Sequence, residues 1–335
     1  MTPLKCTLFS KFNREEKTDI FFSTTWCRDR LFTSENPNDI LKFYDTFSNR
    51  DELIQWMKER PKGRAEIIEV EGDREIIVVI PTADFNGKYA KECRENIFKG
   101  LHMIFVESGF PKDPYFNYAH SCNVGIKKAI EYNPKWIVIS NDDMIKRDDV
   151  EKLINELSKL SHTKVNVVFT NPTKYHSAPG YVAKLNLLSS VAIKIVGFIS
   201  TRISYISKVY SAAKRLNSNI FLTRIIFGAG LQSKIANLLL LKNRTYFVNI
   251  GSFGIFSSKF IYDNLGSLYD EIYVNDREDI DLSIRIKNLS YSFINYKIDE
   301  YIGQTLGAGS IRIIRTLPSL TYFSYKVDMG IIILK

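Results

Sequence analysis

WIVISNDDMI, residues 136–145, decides the fold. Trp136, Ile137, Val138 and Ile139 are large and apolar at consecutive positions, and they run straight into Asn141-Asp142-Asp143. A strand that is apolar without alternation is buried on both faces, as strands are in parallel sheets covered by helices. Its abrupt acidic end has two readings. Two carboxylates after a strand can make a turn or cap the next helix, or they can hold a cation. The neighbouring sequence bears on the choice.

Strands and helices alternate on either side. EIIVVIPT (75–82) reads as a buried strand closed by Pro81, and residues 86–101 as a helix. Residues 102–109 form a second expected strand ending at Gly109, and 117–133 a helix stopped by Pro134. After the strand 136–140 come an amphipathic helix at 148–160 and a fourth strand at 164–172. Such alternation predicts βαβ units, hence a Rossmann-like, mostly parallel sheet with helices on both faces. Ligands of these sheets bind at the carboxyl ends of the strands. Glu107 and Asn141-Asp142-Asp143 fall there. A third acidic station, Glu278-Asp279-x-Asp281, opens a helix further along, where first-turn dipole compensation is the alternative.

The remaining chain divides unevenly. Residues 1–74 read as an N-terminal extension carrying one helix, SNRDELIQWMKER, capped by Ser48 or Asn49. Net charge is 46 − 37 = +9, and ten Lys or Arg between residues 181 and 247 account for all of it. No Asp or Glu occurs between Glu156 and Asp263. That block reads as a basic, apolar, helical insertion into a domain spanning 75–330. The longest run without Asp, Glu, Lys or Arg is Thr245–Ser258, short of the roughly 18 residues a spanning helix needs. Amphipathic contact with a membrane surface is the expectation instead. Cys6, Cys27, Cys93 and Cys122 form no C-x-x-C pair, which predicts reduced thiols in the cytoplasm. The residues MTPLKCTLFSKFNREE lack the apolar core of a signal peptide.

The ordered set resembles the GT-A glycosyltransferases of family 2, most closely their rhamnosyltransferase-like branch. The residues carrying the likeness are Asn123 and Gly125, then Asn141-Asp142-Asp143, then Gly266, Asp270 and Glu271, then Glu278, Asp279, Asp281, Leu282 and Arg285. The resemblance implies a GT-A fold and an inverting hexosyl transfer from a nucleotide-diphosphate sugar, with Mg²⁺ or Mn²⁺ as cofactor. It implies Asp279 as the catalytic base, supported by Glu278, Asp281 and Arg285. It implies Asp143 as the principal metal ligand, with Asn141 and Gln304 beside it. Pro81, Thr82, Glu107, Asn123, Gly125, Asp142 and Gly251 would line the nucleotide-sugar site. The chain departs from the family pattern in places: Asn141 replaces an Asp, Gln304, 25 residues after Asp279, replaces a His, Glu107 stands where Asp is commoner, and Val327-Asp328 replaces an arginine-asparagine pair.

The partners expected are the nucleotide-diphosphate sugar, an acceptor glycan, lipid-linked sugar or protein, a peripheral membrane surface on the inner face of the cell membrane, and a second copy of the chain. No nucleic acid is expected, because the basic block carries no nucleic-acid motif. Two other functions share these residues: an inactive GT-A-like binding or assembly module, and a nucleotidyltransferase. The latter would need a Gly- and Lys-rich phosphate loop, which IPTADFNGK (80–88) matches poorly.

Overall fold

The computed structural model of the chain describes residues 30–109, 113–184, 216, 220–224, 244–264, 268–301, 306–307 and 309–334. After a helical turn at Arg30–Thr33 come α1 (Pro37–Tyr44) and α2 (Arg50–Glu59). Asparagines cap both. The Asn49 side chain accepts from the Asp51 and Glu52 N–H groups, and Glu52 accepts in return from the Ser48 N–H at 2.8 Å. This reciprocal cap fixes where α2 starts.

The alternating region then runs β1 (Glu66–Val70), β2 (Asp73–Thr82), α3 (Lys88–Glu92), β3 (Leu101–Glu107), α4 (Tyr118–Ile130), β4 (Trp136–Ser140), β5 (Met144–Lys146), α5 (Val150–Ser158) and β6 (Val167–Phe169). A π-helical turn at Cys93–Ile97 continues α3. Next come β7 (Pro179–Lys184), β8 (Ile220–Arg224), β9 (Arg244–Val248), β10 (Phe253–Ser257), α6 (Ser258–Asp263), α7 (Glu278–Ile286), β11 (Tyr291–Phe293), β12 (Ile298–Glu300), α8 (Gly309–Arg315) and α9 (Leu317–Asp328).

Seven strands form the central sheet in the order β1-β3-β2-β4-β10-β6-β11. β2 is parallel to β3 and β4, and β11 is parallel to β6. β10 lies antiparallel between β4 and β6, and β1 is antiparallel to β3. Five strands (β2, β3, β4, β6 and β11) therefore point one way. The fold is mixed α/β with a mostly parallel sheet. Alternate residues of β2 serve opposite layers, because side chains alternate across a strand. Ile76, Val78 and Ile80 pack with Ile97, Phe98 and Leu153, while Ile77 and Val79 pack with Cys122 and Ile126 of α4. Helices cover both faces, as the uninterrupted apolar strands predict.

Gly125 shows how tightly α4 meets the sheet. A Cβ there would overlap Val79 Cγ1 and lie 2.9 Å from Val106 Cγ2. Gly125→Ala is therefore expected to cost about 1–3 kcal/mol by overpacking. Val79→Ala in the same chain should recover part of the loss. Thermal denaturation of the two variants checks this, and an unchanged midpoint for Gly125→Ala would refute the packing account.

Two regions differ from expectation. β1 falls inside residues 1–74 yet pairs with β3 from Glu66–Glu107 to Val70–Met103 as an edge strand of the sheet. α1 and α2 instead join α8 and α9 in a third apolar cluster, with Phe43, Trp56, Ile314 and Phe323 buried in it. The buried Arg315 guanidinium donates to the Leu31 and Ser34 carbonyls and to Glu35. Within 181–247, where a helical insertion is expected, the described residues other than Leu216 belong to strands in the order β8-β7-β9, all antiparallel. Aromatic and β-branched residues such as Tyr181, Val182, Thr245, Tyr246 and Val248 favour that pairing over the helical period. Most of the block lies outside the described residues. Among the described residues no helix is long and apolar enough to cross a membrane.

Candidate active site

The carboxyl ends of β2, β3 and β4 bring Thr82, Glu107 and Asn141 to one edge of the sheet. β10 enters at the same edge, since it runs the other way, and the Asn141 N–H donates to the Ser252 carbonyl at 2.9 Å. β12 joins them by pairing with β5, Glu300 opposite Met144. A cavity of about 230 Å³ opens here. Asn141, Gly251, Glu278, Asp279, Glu300 and Arg312 all line it, as do Tyr118, Tyr175 and Tyr301. Residues from the second and third acidic stations thus share one space, although some 135 positions separate them in sequence.

Each wall has a local cause. Gly251 turns the chain with φ +60°, and a Cβ there would overlap the Tyr175 carbonyl, so the position requires glycine. Ahead of α7, Asn275 and Arg277 both adopt positive φ, 56° and 71°. Non-glycine residues pay for that conformation in strain, and such strain clusters at functional sites. The result sets Glu278 and Asp279 at the helix mouth. Glu278 is 6% exposed, and its Oε2 has no hydrogen-bond partner among the described residues. Burial pushes its carboxyl well above the usual range, and the charges of Asp279 and Asp276 push it the same way. Asp279 is half-buried. Its Oδ1 accepts from the Ile280 N–H at 2.8 Å, and no Lys or Arg among the described residues pairs with it. It is a carboxylate facing a cavity with proton-accepting capacity in reserve.

The Asn141-Asp142-Asp143 turn reaches the cavity through Asn141. Thr82 Oγ1 donates to Asp142 Oδ2 at 2.7 Å, and Cys93 Sγ donates to the Asp142 carbonyl from the π-helical turn. Removal from water raises the Asp142 carboxyl. Asp143 is pushed up to about 6, first by burial, then by the charge of Asp142, with Glu300 adding to it; a hydrogen bond from Asn141 opposes the shift. Among the described residues neither aspartate has a Lys or Arg partner. Two adjacent carboxylates without a cation, flanked by a carboxamide, are the donor chemistry of a hard divalent ion. Among the described residues, however, no three His, Cys, Asp or Glu side chains converge as a ready-made metal site. The turn therefore suits an ion that takes its other ligands from water or from a phosphate-bearing substrate.

Several expected site residues serve the framework instead. Asn123 holds α4 to the 269–271 segment: its Nδ2 donates to the Tyr269 carbonyl and to Glu271 Oε1, both at 2.9 Å, and its Oδ1 accepts from the Tyr269 N–H. Gly125 is consumed by packing. Asp281 is fully buried within 2.9 Å of Lys326 Nζ and 3.1 Å of Arg285 Nε, and Arg285 also donates to the Leu268 carbonyl. Neither Asp281 nor Arg285 lines the cavity. Glu107 accepts from the Phe85 N–H at 2.8 Å, with Arg64 at 3.6 Å. Pro81 is paired within the sheet opposite Val106. Gln304 lies outside the described residues.

Glu300 and Arg312 are cavity residues that the sequence reading misses. His176 Nδ1 lies 2.9 Å from Glu300 Oε2, and Thr173 Oγ1 donates to Glu300 Oε1 at 3.1 Å. Ser252 stands 3.2 Å from the same His176 nitrogen. The available signal is Asp299-Glu300 at a strand end, similar to Asp142-Asp143; what hides it is the long-range β5–β12 pairing. His120, 2.9 Å from Glu271, ties down a loop. Compared with known proteins, the chain matches no protein-family model and no curated sequence.

Proposed function

We propose that this chain is a metal-dependent, inverting glycosyltransferase of GT-A type, moving a sugar from a nucleotide-diphosphate donor to an acceptor hydroxyl. One observation carries the reading: Asn141 and Asp279 line a single cavity at the carboxyl edge of a mostly parallel sheet, and Asp142 and Asp143 follow Asn141 directly in the chain. The family likeness of the sequence gives these residues their roles.

In this mechanism Asp279 receives the proton of the acceptor hydroxyl as its oxygen bonds to the anomeric carbon. The bond from that carbon to the diphosphate breaks on the opposite face, which inverts the centre. Asp143, Asn141 and Asp142 would hold the divalent ion, with Gln304 as a further oxygen donor. Such an ion, when bound, would supply positive charge against that growing on the departing diphosphate. Glu278, whose carboxyl burial raises, is disfavoured as a second negative charge beside Asp279. Arg312 presents a fixed cation to the same space.

The direct test is release of sugar from UDP- and GDP-sugars with Mn²⁺ or Mg²⁺, since transferases leak donor to water. No metal-dependent turnover and no nucleoside-diphosphate binding would sink the proposal. Binding without turnover would favour the inactive binding module. Asp143→Ala is expected to weaken Mn²⁺-dependent UDP binding by about tenfold or more. Calorimetric titration of UDP with and without Mn²⁺ checks it, and an unchanged titration would remove Asp143 from the metal.

A further inference from the structure

We infer that Glu300 is a ligand of the divalent ion, supplying a carboxylate from β12 beside that of Asp143. The inference rests on the metal-dependent reading of the cavity and adds a residue to it, since the sequence likeness names Gln304 and is silent on Glu300. Backbone pairing puts the two acids together. Glu300 stands opposite Met144 in the β12–β5 ladder, and the Tyr301 N–H donates to the Asp143 carbonyl at 2.9 Å. Glu300 lines the same cavity as Asn141, the first residue of the acidic turn. Its charge reaches Asp143, whose carboxyl it helps to raise.

Charge is the reason to expect a cation here. The Glu300 side chain is 2% exposed, and among the described residues no Lys or Arg pairs with it. None pairs with Asp143 either, which is itself buried. Buried charges are paired or coordinate metals, and neighbouring carboxylates repel unless positive charge lies between them. Sugar hydroxyls could fill hydrogen bonds at this place but would not relieve that repulsion. Glu300 is also fixed in direction. His176 Nδ1 lies 2.9 Å from its Oε2, and Thr173 Oγ1 donates to its Oε1 at 3.1 Å. Such partners orient a ligand, and roughly half of the carboxylate's lone-pair sites stay open. Glu278 Oε2, a buried oxygen on the same cavity wall, has no hydrogen-bond partner among the described residues, a separate sign that this space takes a polar guest. With Asp143, Glu300 and the Asn141 carboxamide as donors, only two are acids. That agrees with the lack of a three-acid cage among the described residues and leaves other positions to water and diphosphate.

Calorimetric titration of the full chain with UDP, once in Mn²⁺ and once in EDTA, tests this without reference to turnover. The ratio of the two affinities reads the contribution of the ion. Glu300→Gln keeps the shape and removes the charge. It should lower that ratio by about tenfold or more and leave the affinity in EDTA unchanged. Glu300→Asp, which keeps the charge but shortens the reach, should fall between that variant and the parent. An unchanged ratio in Glu300→Gln overturns the inference, and a lowered melting temperature beside it would make Glu300 a framework partner of His176. Equal losses in Mn²⁺ and EDTA overturn it too, because they assign Glu300 to the nucleotide. If Asp143→Ala loses the Mn²⁺ dependence and Glu300→Gln keeps it, this inference falls alone. UDP binding by the parent that ignores Mn²⁺ removes the metal reading along with it.

Discussion

Asp279→Asn should reduce sugar transfer by about 10²–10⁴-fold while leaving nucleotide binding intact. The amide has nearly the shape of the carboxylate and can still accept from the Ile280 N–H, so the mouth of α7 should keep its form. What it loses is the capacity to take a proton. The carboxylate is suited to that task because it faces the cavity and no described cation consumes it. Glu278 is a poor substitute. Its burial disfavours the charged form that would have to accept the proton. The measurement is donor turnover alongside UDP binding in the same preparation. Near-parental turnover in Asp279→Asn would remove the base from this residue. A joint loss of turnover and binding would instead indicate a damaged site.

Lys326→Met should give the largest loss of stability. The Lys326 ammonium is 5% exposed and bridges Asp281 at 2.9 Å and Asp270 at 3.0 Å. Its stem and charge lie over the rings of Tyr273 and Tyr322. Methionine fills similar volume but strands two carboxylates with one remaining guanidinium, Arg285, and one phenol, Tyr322. Breaking a buried ion pair from one side costs about 3–5 kcal/mol, or roughly 5–8 °C in Tm for a chain of this size. Calorimetry reads the shift, and a change below about 1 °C would mean that solvent reaches these charges. Asp281 was expected at the chemistry, so this prediction also separates a framework role from a catalytic one.

How far the sequence reads into the structure depends on the range of the interactions involved. β2, β3, β4 and α4 lie where the apolar runs and the Pro and Gly stops put them, because a run buried on both faces and a helix stop are local facts. Asn141 reaches the cavity because parallel strands carry their ends to one edge, and Asp279 meets it there from the first turn of α7. The unread part is long-range. Nothing near Glu300 announces that β12 will pair with β5 and bring it beside His176. The strand pairing of β7 with β8 and β9 overrides a stretch whose apolar and basic residues suit a helix equally. Asn123 shows the opposite limit. Its position in an ordered motif suggests ligand contact, yet its three hydrogen bonds go to the chain itself, a matter of geometry that spacing does not encode.

The layer made by α1 and α2 against α8 and α9 has a bearing on biogenesis. Tyr44 meets the Ile314 carbonyl across 270 positions, and Arg315 reaches Leu31 across 284. During synthesis, Phe43, Trp56 and their neighbours leave the ribosome long before the segment that will shelter them. These two helices stay sticky and uncovered while the chain between Glu59 and Gly309 is made. Arg312, carried on α8, enters the cavity wall only when that late clasp shuts. Newly made protein should therefore depend on holding chaperones, and should acquire ligand binding only after α8 and α9 have closed over α1 and α2.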